Sequence, residues 1–373
     1  MSNNTYVVIF PSLFAENKIT LLMTNIKKIL KNHSENFTKI SRDGKLILVD
    51  ANDPVFASSA IGLLFGIKEI IIARQIKNDF KNVVDEITKV GSSLLLKGEK
   101  FYVSVDGIPK GYVIKDVELS ATSSLIEKNK SNNAKPGTKE KHDKLLFAYI
   151  TKSNAYVSIF NDKGLGGAVN NSQSQKIICG IFDEFSAIAC FETIKQGFDV
   201  KIIVFYNTHS NLITLVKILS KILPRTLQVK SQIDFCKVNT DNDLESKNIV
   251  FTKVLAKVAI DEKILFVSLP LSPLIFPSSI IKKLQTDVFE LGLTPIMPLS
   301  GIDSELFRNL NEIGLEKHII KIEKLLQTKI IPRQKGVISN KEIQSIIRNK
   351  KAITVKFGPN IVHDMLDLVE TKH

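Results

Sequence analysis

The chain has 373 residues, 44% of them hydrophobic, and its 51 Lys and Arg against 38 Asp and Glu give a net charge of +13. This length and apolar content suffice for two or three folded domains and exclude an intrinsically disordered chain. The basic excess favours polyanionic partners, with nucleic acid ahead of an anionic membrane. The alternative is that a composition rich in Lys, Ile and Asn reflects only that of the genome.

Three features of the sequence predict a cytoplasmic protein without membrane association. No apolar run approaches the roughly 18 residues of a membrane span, and the start MSNNTYVVIF lacks the basic and small-residue features of a signal peptide. The cysteines, Cys179, Cys190 and Cys236, are too few for a disulfide framework. They lack C-x-x-C spacing, so we expect them to pack in the core and expect no metal site.

Hydrophobic periods in the first half of the chain alternate between those of strands and those of helices. The predicted strands are residues 6–10, 45–49, 69–74, 101–105, 147–150 and 155–159. The predicted helices are residues 20–32, 54–64, 117–128 and one that begins near residue 79. This mixture predicts an α+β region with helices on one face of a sheet.

Residues 128–144 interrupt this pattern with a strongly basic segment. It contains six lysines together with Asn, Pro and Gly, and almost no apolar side chain. Because such a segment cannot bury surface, we expect a mobile, solvated loop. Ordering of the loop by bound RNA is the alternative.

The second half, from about Lys176, alternates regularly between apolar strands and amphipathic helices. The predicted strands are residues 176–180, 200–206, 263–269 and 294–299, and the predicted helices are residues 186–196, 208–223, 278–291 and 305–313. This order predicts a doubly wound α/β domain with a parallel sheet. In such domains, ligands bind at the carboxyl ends of the strands.

The turn after the first of these strands has the position of a nucleotide site but not its residues. A phosphate-binding turn needs glycines, so that backbone N–H groups can close around the anion at the helix N-terminus. Here the turn reads GIFDEFS over residues 180–186, with two carboxylates and two phenylalanines. The residues placed to contact a nucleotide in this degenerate turn are Lys176, Gly180, Asp183 and Ser186.

Four segments follow one another in an order that carries a family resemblance: Asp43–Ile70, Lys100–Val105, Gly164–Val169 and Pro298–Glu305. The third reads GLGGAV and the fourth PLSGIDSE, which resemble the GxGGLP and PLIGxDKE segments of the tRNA 4-thiouridine synthetases (tRNA sulfurtransferases). The resemblance implies a ferredoxin-like domain over residues 1–50 and a THUMP RNA-binding domain over residues 51–165, with the basic loop at 128–144. It also implies a PP-loop α/β domain, Rossmann-like in fold, over residues 166–373.

The chain departs from this family at the residues that carry chemistry. The family's Ser-Gly-Gly-Ile-Asp-Ser motif falls on Ile181–Ser186, where only Ser186 is retained, and Ser186 is equally well explained as a helix N-cap. A later family loop is replaced by the proline-rich Leu269–Pro277, and no cysteine occurs among residues 325–340 to carry sulfur. We therefore expect a degenerate PP-loop, no catalytic residues and no cofactor; an ATP site of divergent sequence is the alternative.

Residues 300–304, Ser-Gly-Ile-Asp-Ser, superficially resemble an adenylation motif. They have one glycine too few and follow the last predicted strand. We expect the start of a helix there, with Asp303 or Ser304 near its cap.

The resemblance implies tRNA as the partner. The protein would bind the acceptor end of the tRNA through the shape of the RNA and contacts to its backbone. Phosphate contacts supply most of the affinity for such a ligand, so basic residues of the first half are the candidates. They are Lys27, Lys28, Lys31, Arg42, Arg74, Lys77, Lys110 and Lys115. For each residue alone, the alternative is an ordinary solvated side chain.

Three functions remain open from the sequence. The first is a tRNA-binding protein that lacks adenylation and sulfur transfer, and it is the one we expect. The second is an active ATP-dependent tRNA thiolation enzyme with an external sulfur donor. The third is a protein–protein scaffold in which Phe182 and Phe185, if exposed, anchor a partner at the former nucleotide crevice. Relatives are often homodimers, so the resemblance also implies a possible homodimer.

Overall fold

The computed structural model describes residues 5–238, 244–327, 339–358 and 360–370. The chain divides into two units between Gly166 and Gly167. In the part of the chain that the structure describes, no helix is long and apolar enough to cross a membrane.

The first unit is built on one eight-stranded sheet with the strand order β2-β3-β1-β4-β8-β7-β5-β6. Its strands are β1 (Thr5–Pro11), β2 (Phe37–Asp43), β3 (Leu46–Ala51), β4 (Ile67–Lys77), β5 (Lys100–Gly107), β6 (Lys135–Pro136), β7 (Lys144–Ile150) and β8 (Asn154–Gly166). Its α-helices are α1 (Ile19–Asn32), α2 (Pro54–Ile61), α3 (Phe80–Leu94) and α4 (Ile114–Lys128). Short 3-10 helices lie at Leu13–Lys18 and Lys130–Asn132.

The first six elements of this unit follow the βαββαβ order of a ferredoxin-like fold, with strands in the spatial order β4-β1-β3-β2. This pattern extends to Lys77, whereas the predicted domain boundary stands at residue 50. The long strand β4 pairs with β1 on one side and with β8 on the other. The division of this unit into a ferredoxin-like and a THUMP domain stays a prediction.

Local sequence signals explain where these helices begin and which face they bury. Asp79 caps α3 by accepting a hydrogen bond from Asn82 N, and Asp53 caps α2, with Pro54 in the first turn. On α1, Leu22, Ile26, Ile29 and Leu30 recur at helical spacing and are buried. The predicted helices of the first half are confirmed.

The basic segment 128–144 differs from its prediction as a mobile loop. It contains a 3-10 turn and the two-residue strand β6, which pairs in parallel with Lys100 and Phe101 of β5. Backbone hydrogen bonds that join Gly137 N to Phe101 O (2.7 Å) and Asp143 N to Lys100 O (2.7 Å) hold it. Side-chain hydropathy carries no signal for such pairing, because only backbone groups take part.

The sheet of the first unit curls until the β2–β3 turn meets the β7–β8 turn. Asp43 Oδ2 accepts hydrogen bonds from Thr151 Oγ1 (2.8 Å), Asn154 Nδ2 (3.0 Å) and Tyr156 OH (2.7 Å). Tyr156 is fully buried, and burial together with the Asp43 hydrogen bond raises the pKa of its hydroxyl. The Asp43 carboxylate therefore fixes the curvature of the sheet.

We expect Asp43→Ala to lower the free energy of unfolding of the first unit by about 2 kcal/mol, because three donors lose their acceptor. Asp50→Ala, on the neighbouring strand and in the same hollow, is the matched control and should change stability by less than ~0.5 kcal/mol. Urea unfolding followed by tyrosine near-UV circular dichroism measures both. An equal loss in the two variants would contradict the role given to Asp43.

The second unit is a doubly wound sheet with the strand order β13-β12-β9-β10-β11-β14. Its strands are β9 (Lys176–Ile181), β10 (Asp199–Tyr206), β11 (Lys230–Lys237), β12 (Phe266–Ser268), β13 (Thr294–Ile296) and β14 (Lys351–Lys356). Its α-helices are α5 (Glu184–Lys195), α6 (His209–Ile222), α7 (Leu244–Asp261), α8 (Ser278–Phe289), α9 (Ser304–Glu312), α10 (Glu316–Gln327), α11 (Asn340–Arg348) and α12 (Ile361–Glu370). A 3-10 helix lies at Leu223–Thr226.

Five strands of this sheet are parallel, and β14 adds an antiparallel edge beside β11. The chain leaves β9 in one direction towards β10 and β11 and returns on its other side to form β12 and β13. The order reverses between β9 and β12, which is where doubly wound domains place their ligands. The predicted fold class is confirmed. Two strands of this sheet, β11 and β14, were not indicated by the sequence.

Candidate functional site

The crevice at the carboxyl ends of β9 and β12 is lined by buried apolar side chains. Phe182, at the turn after β9, is 5% exposed, and its ring centroid lies 4.7 Å from that of Phe251 on α7. Phe251 in turn stacks on Phe205 of β10 at 4.3 Å. Directly after β12, Leu269 and Leu271 are fully buried. Apolar packing therefore occupies the place where such a domain holds its ligand.

The turn itself is closed by reciprocal hydrogen bonds between Asp183 and Ser186. Ser186 Oγ accepts from Phe182 N and Asp183 N, both at 2.9 Å. Asp183 Oδ1 accepts from Ser186 N at 2.7 Å and lies 2.7 Å from Ser186 Oγ. This is a capping box in which Asp183 is the N-cap and Ser186 the third helical residue, so the prediction of Ser186 as the N-cap is wrong.

These residues do not fit the phosphates of ATP. A phosphate at this helix N-terminus would need the N–H groups of Phe182 and Asp183, and both are bonded to Ser186 Oγ. Burial raises the pKa of the Asp183 carboxyl, against the opposing effect of its Ser186 hydrogen bonds. The carboxylate would also repel an anion placed beside it.

The other two residues predicted for the nucleotide site have different surroundings. Gly180 lies within β9, and a Cβ there would come within 2.9 Å of Leu255 Cδ1 and 3.1 Å of Phe205 Cε2, so α7 packs closely on the sheet at this glycine. Lys176 is exposed at the amino end of β9. Ile181, the last residue of β9, lies five residues after Lys176. This step spans about 17 Å along the strand, so Lys176 does not reach the turn.

Two residues of α10 that the sequence did not single out contact the start of α5. Glu184 accepts a hydrogen bond from Lys321 Nζ and lies 3.4 Å from His318 Nδ1. Burial opposes ionisation of Glu184, but the Lys321 hydrogen bond prevails and lowers its pKa. His318 and Lys321 are three residues apart, so the sequence alone predicts that they lie on the same side of α10. That spacing does not identify Glu184 as their partner.

We expect Ser186→Ala to destabilise the second unit by about 2 kcal/mol, because two backbone donors and the capping box lose their acceptor. Ser279→Ala is the matched control, since Ser279 is exposed in the first turn of α8. Thermal unfolding followed by far-UV circular dichroism compares the two. Equal midpoints for both variants would show that the Ser186 hydroxyl does not hold the turn.

The second adenylation-like segment is the start of a helix, as predicted. Asp303 caps α9 and accepts a hydrogen bond from Leu306 N at 2.9 Å. A cavity of about 120 Å³ beside this cap is lined in part by Glu192, Lys195 and Glu305. Lys195 Nζ lies 3.3 Å from Glu305 Oε1 and 4.0 Å from Glu192 Oε2. Burial raises the pKa of Glu192 to about 7, against the opposing effect of Lys195.

This raised pKa predicts a pH dependence of stability. The folded protein holds the Glu192 proton more tightly than the unfolded chain, so the contribution is present at low pH and is lost as the pH rises through about 7. Between pH 5 and pH 8 we expect the wild type to lose about 2 kcal/mol more stability than Glu192→Gln. Parallel curves for the two proteins in urea unfolding across this range would contradict the assignment.

The predicted RNA-binding residues form two groups in the first unit. Lys27, Lys28 and Lys31 are exposed along α1, and Lys31 borders a shallow hollow with residues 34–37. Lys31 lies four residues after Lys27 and three after Lys28, so the three lysines lie on one side of the helix. Arg42 is exposed at the end of β2.

The second group lies at the end of β4. Lys77 and Lys110 are exposed, and Asn78 joins their segments by donating to Ile108 O at 3.2 Å. Lys115 is exposed on α4 and lies 3.3 Å from Glu118 Oε2.

Arg74 differs from the rest of the predicted set. Its guanidinium bonds Glu86 Oε1 at 2.9 Å, so it is already paired within the protein.

The sequence matches no protein-family model and no curated protein. Among solved structures, the fold is similar to that of PH1313 from Pyrococcus horikoshii Ot3, with a TM-score of 0.61 and 19% sequence identity over 83% of this chain and 100% of that chain. It is also similar to a 4-thiouridine synthetase solved as an RNA complex with bound ATP, with a TM-score of 0.65 and 13% identity over 94% of this chain and 100% of that chain. The fold is that of a 4-thiouridine synthetase. At these identities the likeness establishes the fold alone.

Proposed function

We propose that this protein binds tRNA through its first unit and lacks the adenylation and sulfur transfer of 4-thiouridine synthetases. The structural neighbour that binds RNA shares the fold over 94% of the chain, which supports RNA as the partner. The lysines of α1 and those at the end of β4 are exposed, as contacts to a phosphate backbone require.

The observation that carries the second half of the proposal is the closed turn after β9. Its backbone donors are bonded to Ser186, and Phe182 packs on Phe251 where a nucleotide would lie. An active thiolation enzyme with a divergent ATP site would have to break both arrangements or bind ATP elsewhere. The geometry therefore favours RNA binding without adenylation.

The cysteines support the absence of sulfur transfer. The sequence has no cysteine among residues 325–340, of which 328–338 lie outside the described residues. All three cysteines are buried. The Cys179 hydrogen bond and burial raise the pKa of Cys190, and burial raises that of Cys236 to about 12. Neither thiol is poised to form the thiolate that a persulfide carrier needs.

The scaffold hypothesis loses the two anchors that the sequence suggested. Phe182 and Phe185 are 5% and 2% exposed, so the exposure that the scaffold hypothesis required of them is not present. Their burial follows from the depth of the crevice, which two large apolar side chains fill. A homodimer and a cytoplasmic location stay predictions.

The test of RNA binding compares mature tRNA with an unrelated RNA duplex across a salt series. We expect a preference for tRNA that persists as salt rises, with log K falling linearly with log salt because phosphate contacts release counterions. Equal, weak binding to both RNAs that vanishes near physiological salt would refute the proposal.

Adjacent lysine pairs offer a matched comparison. Lys27→Glu/Lys28→Glu on α1 should weaken tRNA binding about tenfold and reduce the salt slope by about two. Lys282→Glu/Lys283→Glu, an exposed pair on α8 of the second unit, changes the net charge equally and should leave affinity within about twofold. Loss of equal size in both variants would mean that only net charge attracts RNA.

Adenylation is tested separately by ATP-dependent pyrophosphate exchange in the presence of tRNA. We expect no exchange above background, and a known 4-thiouridine synthetase serves as the positive control. Exchange above background by the wild type would establish an active ATP site and overturn this half of the proposal.

A further inference from the structure

An edge of the first sheet carries six exposed lysines that lie outside the predicted RNA-binding set. We call it the β6 edge, and its members are Lys97, Lys100, Lys130, Lys135, Lys139 and Lys141. Within the described part of the chain none of the six makes an ion pair. We propose that the β6 edge is a second surface that binds the phosphate backbone of RNA, an inference that rests on the proposed function.

The arrangement of the charges is costly without an anion. Lys135 of β6 pairs directly with Lys100 of β5, so two like charges sit on adjacent strands. Lys139 and Lys141 follow in a tight turn that is closed between Thr138 and Lys141, with N···O distances of 3.1 and 3.2 Å. Lysines on paired strands and in one short turn raise the positive potential at this edge in the free protein, and a bound phosphate lowers it.

The neighbouring acids do not cancel this charge in ion pairs, because they bind backbone groups. Asp143 Oδ2 accepts from Lys100 N at 2.7 Å, and Glu99 Oε2 accepts from Leu96 N at 2.8 Å. Both carboxylates thereby fix the backbone that displays the lysines. From Lys135 to Lys141 the acidic residue is Glu140, which is exposed in the turn between Lys139 and Lys141.

Backbone hydrogen bonds make the display rigid even though the segment buries little apolar surface. Gly98 N donates to Asn132 O (2.8 Å), and Lys135 N donates to Glu99 O (3.1 Å). Ala134, 7% exposed, is the point at which the segment joins the apolar core under α3 and α4. A backbone that is ordered before binding loses less entropy on binding a polyanion than a mobile loop would.

The chemistry of the edge indicates backbone contact with RNA. Lysines bind phosphate as point charges, and Tyr102 is half-buried against His142 at 5.7 Å between ring centroids, which leaves it poorly placed to stack on a base. Contact with a duplex part of the RNA, without reading its bases, fits these features.

Lysines also protect sheet edges against pairing with other chains, and this rival explanation makes a different prediction. Edge protection needs charge of either sign, whereas RNA binding needs positive charge. Replacement of the lysines by glutamate keeps a charged, protected sheet edge but removes the positive charge that RNA binding needs.

The test uses the full chain and tRNA across a salt series, with Lys135→Glu/Lys139→Glu/Lys141→Glu, the same three positions changed to Gln, and the wild type. We expect at least tenfold weaker binding for the Glu variant at 0.1 M salt and a salt slope lower by about two to three in both variants. Lys282→Glu/Lys283→Glu controls for net charge, and size-exclusion chromatography confirms that each variant has the wild-type oligomeric state.

Affinity and salt slope within twofold of the wild type in both variants would overturn the inference while leaving the proposed function intact. Failure of the wild type itself to prefer tRNA would refute the proposed function first. A measurement on the wild type covers the case of a misfolded variant: bound tRNA should slow amide hydrogen exchange over residues 130–144. Unchanged exchange there, with tRNA bound, also overturns the inference.

Discussion

The start of α5 is the constraint on which the second unit depends. β9 is a central strand with β10 on one side and β12 on the other, and α5 must begin within two residues of its end. A helix that begins there has orphan backbone donors that need a partner. In this chain Asp183 Oδ1 accepts from Ser186 N, and Ser186 Oγ accepts from the N–H groups of Phe182 and Asp183, so protein groups close the turn.

A nucleotide would therefore compete with the folded structure itself. Withdrawing Phe182 from Phe251 exposes an aromatic side chain, at a cost of about 2 kcal/mol. Releasing two backbone N–H groups from Ser186 costs about 1 kcal/mol for each hydrogen bond. Together these effects weaken nucleotide binding on the order of a thousandfold relative to a turn whose donors already point at the ligand. Substitutions that stabilise this turn in the free protein oppose nucleotide binding, because the protein's own hydrogen bonds and those to a nucleotide would use the same backbone N–H groups.

The sequence predicted what local chemistry determines. Helical spacing located α1, α3 and α6, and capping side chains at Asp79 and Asp303 marked where helices begin. The sequence did not indicate β2, β6, β11 or β14. Of these, β2 pairs with β3 across a turn, whereas β6, β11 and β14 pair with strands from which helices separate them in the chain. The three-residue strands β12 and β13 were predicted too long, because apolar residues precede β12 and follow both strands.

The sequence also did not determine which side chains are buried. At the turn after β9, burial decides whether Phe182 is an exposed anchor or part of the core. Phe182 could have been an exposed anchor or part of the core, and only its position beside Phe251, 69 residues later in the chain, distinguishes the two. Likewise, nothing near Asp43 indicates that it accepts a hydrogen bond from Tyr156, 113 residues away. Contacts of this kind depend on how the sheet curls, which is a property of all its strands together.

RNA binding can outlast the loss of chemistry because the two depend on different kinds of interaction. Adenylation needs a few donors placed to within fractions of an ångström, and a single rearranged turn removes them. Affinity for a phosphate backbone is a sum of many weak contacts, so it tolerates the pairing of Arg74 with Glu86. The lysines of the first unit stand on a sheet whose curvature is fixed by Asp43, a network separate in sequence and structure from the turn after β9. A change in that turn therefore leaves the proposed RNA-binding surfaces of the first unit unaltered, and selection can maintain the one without the other.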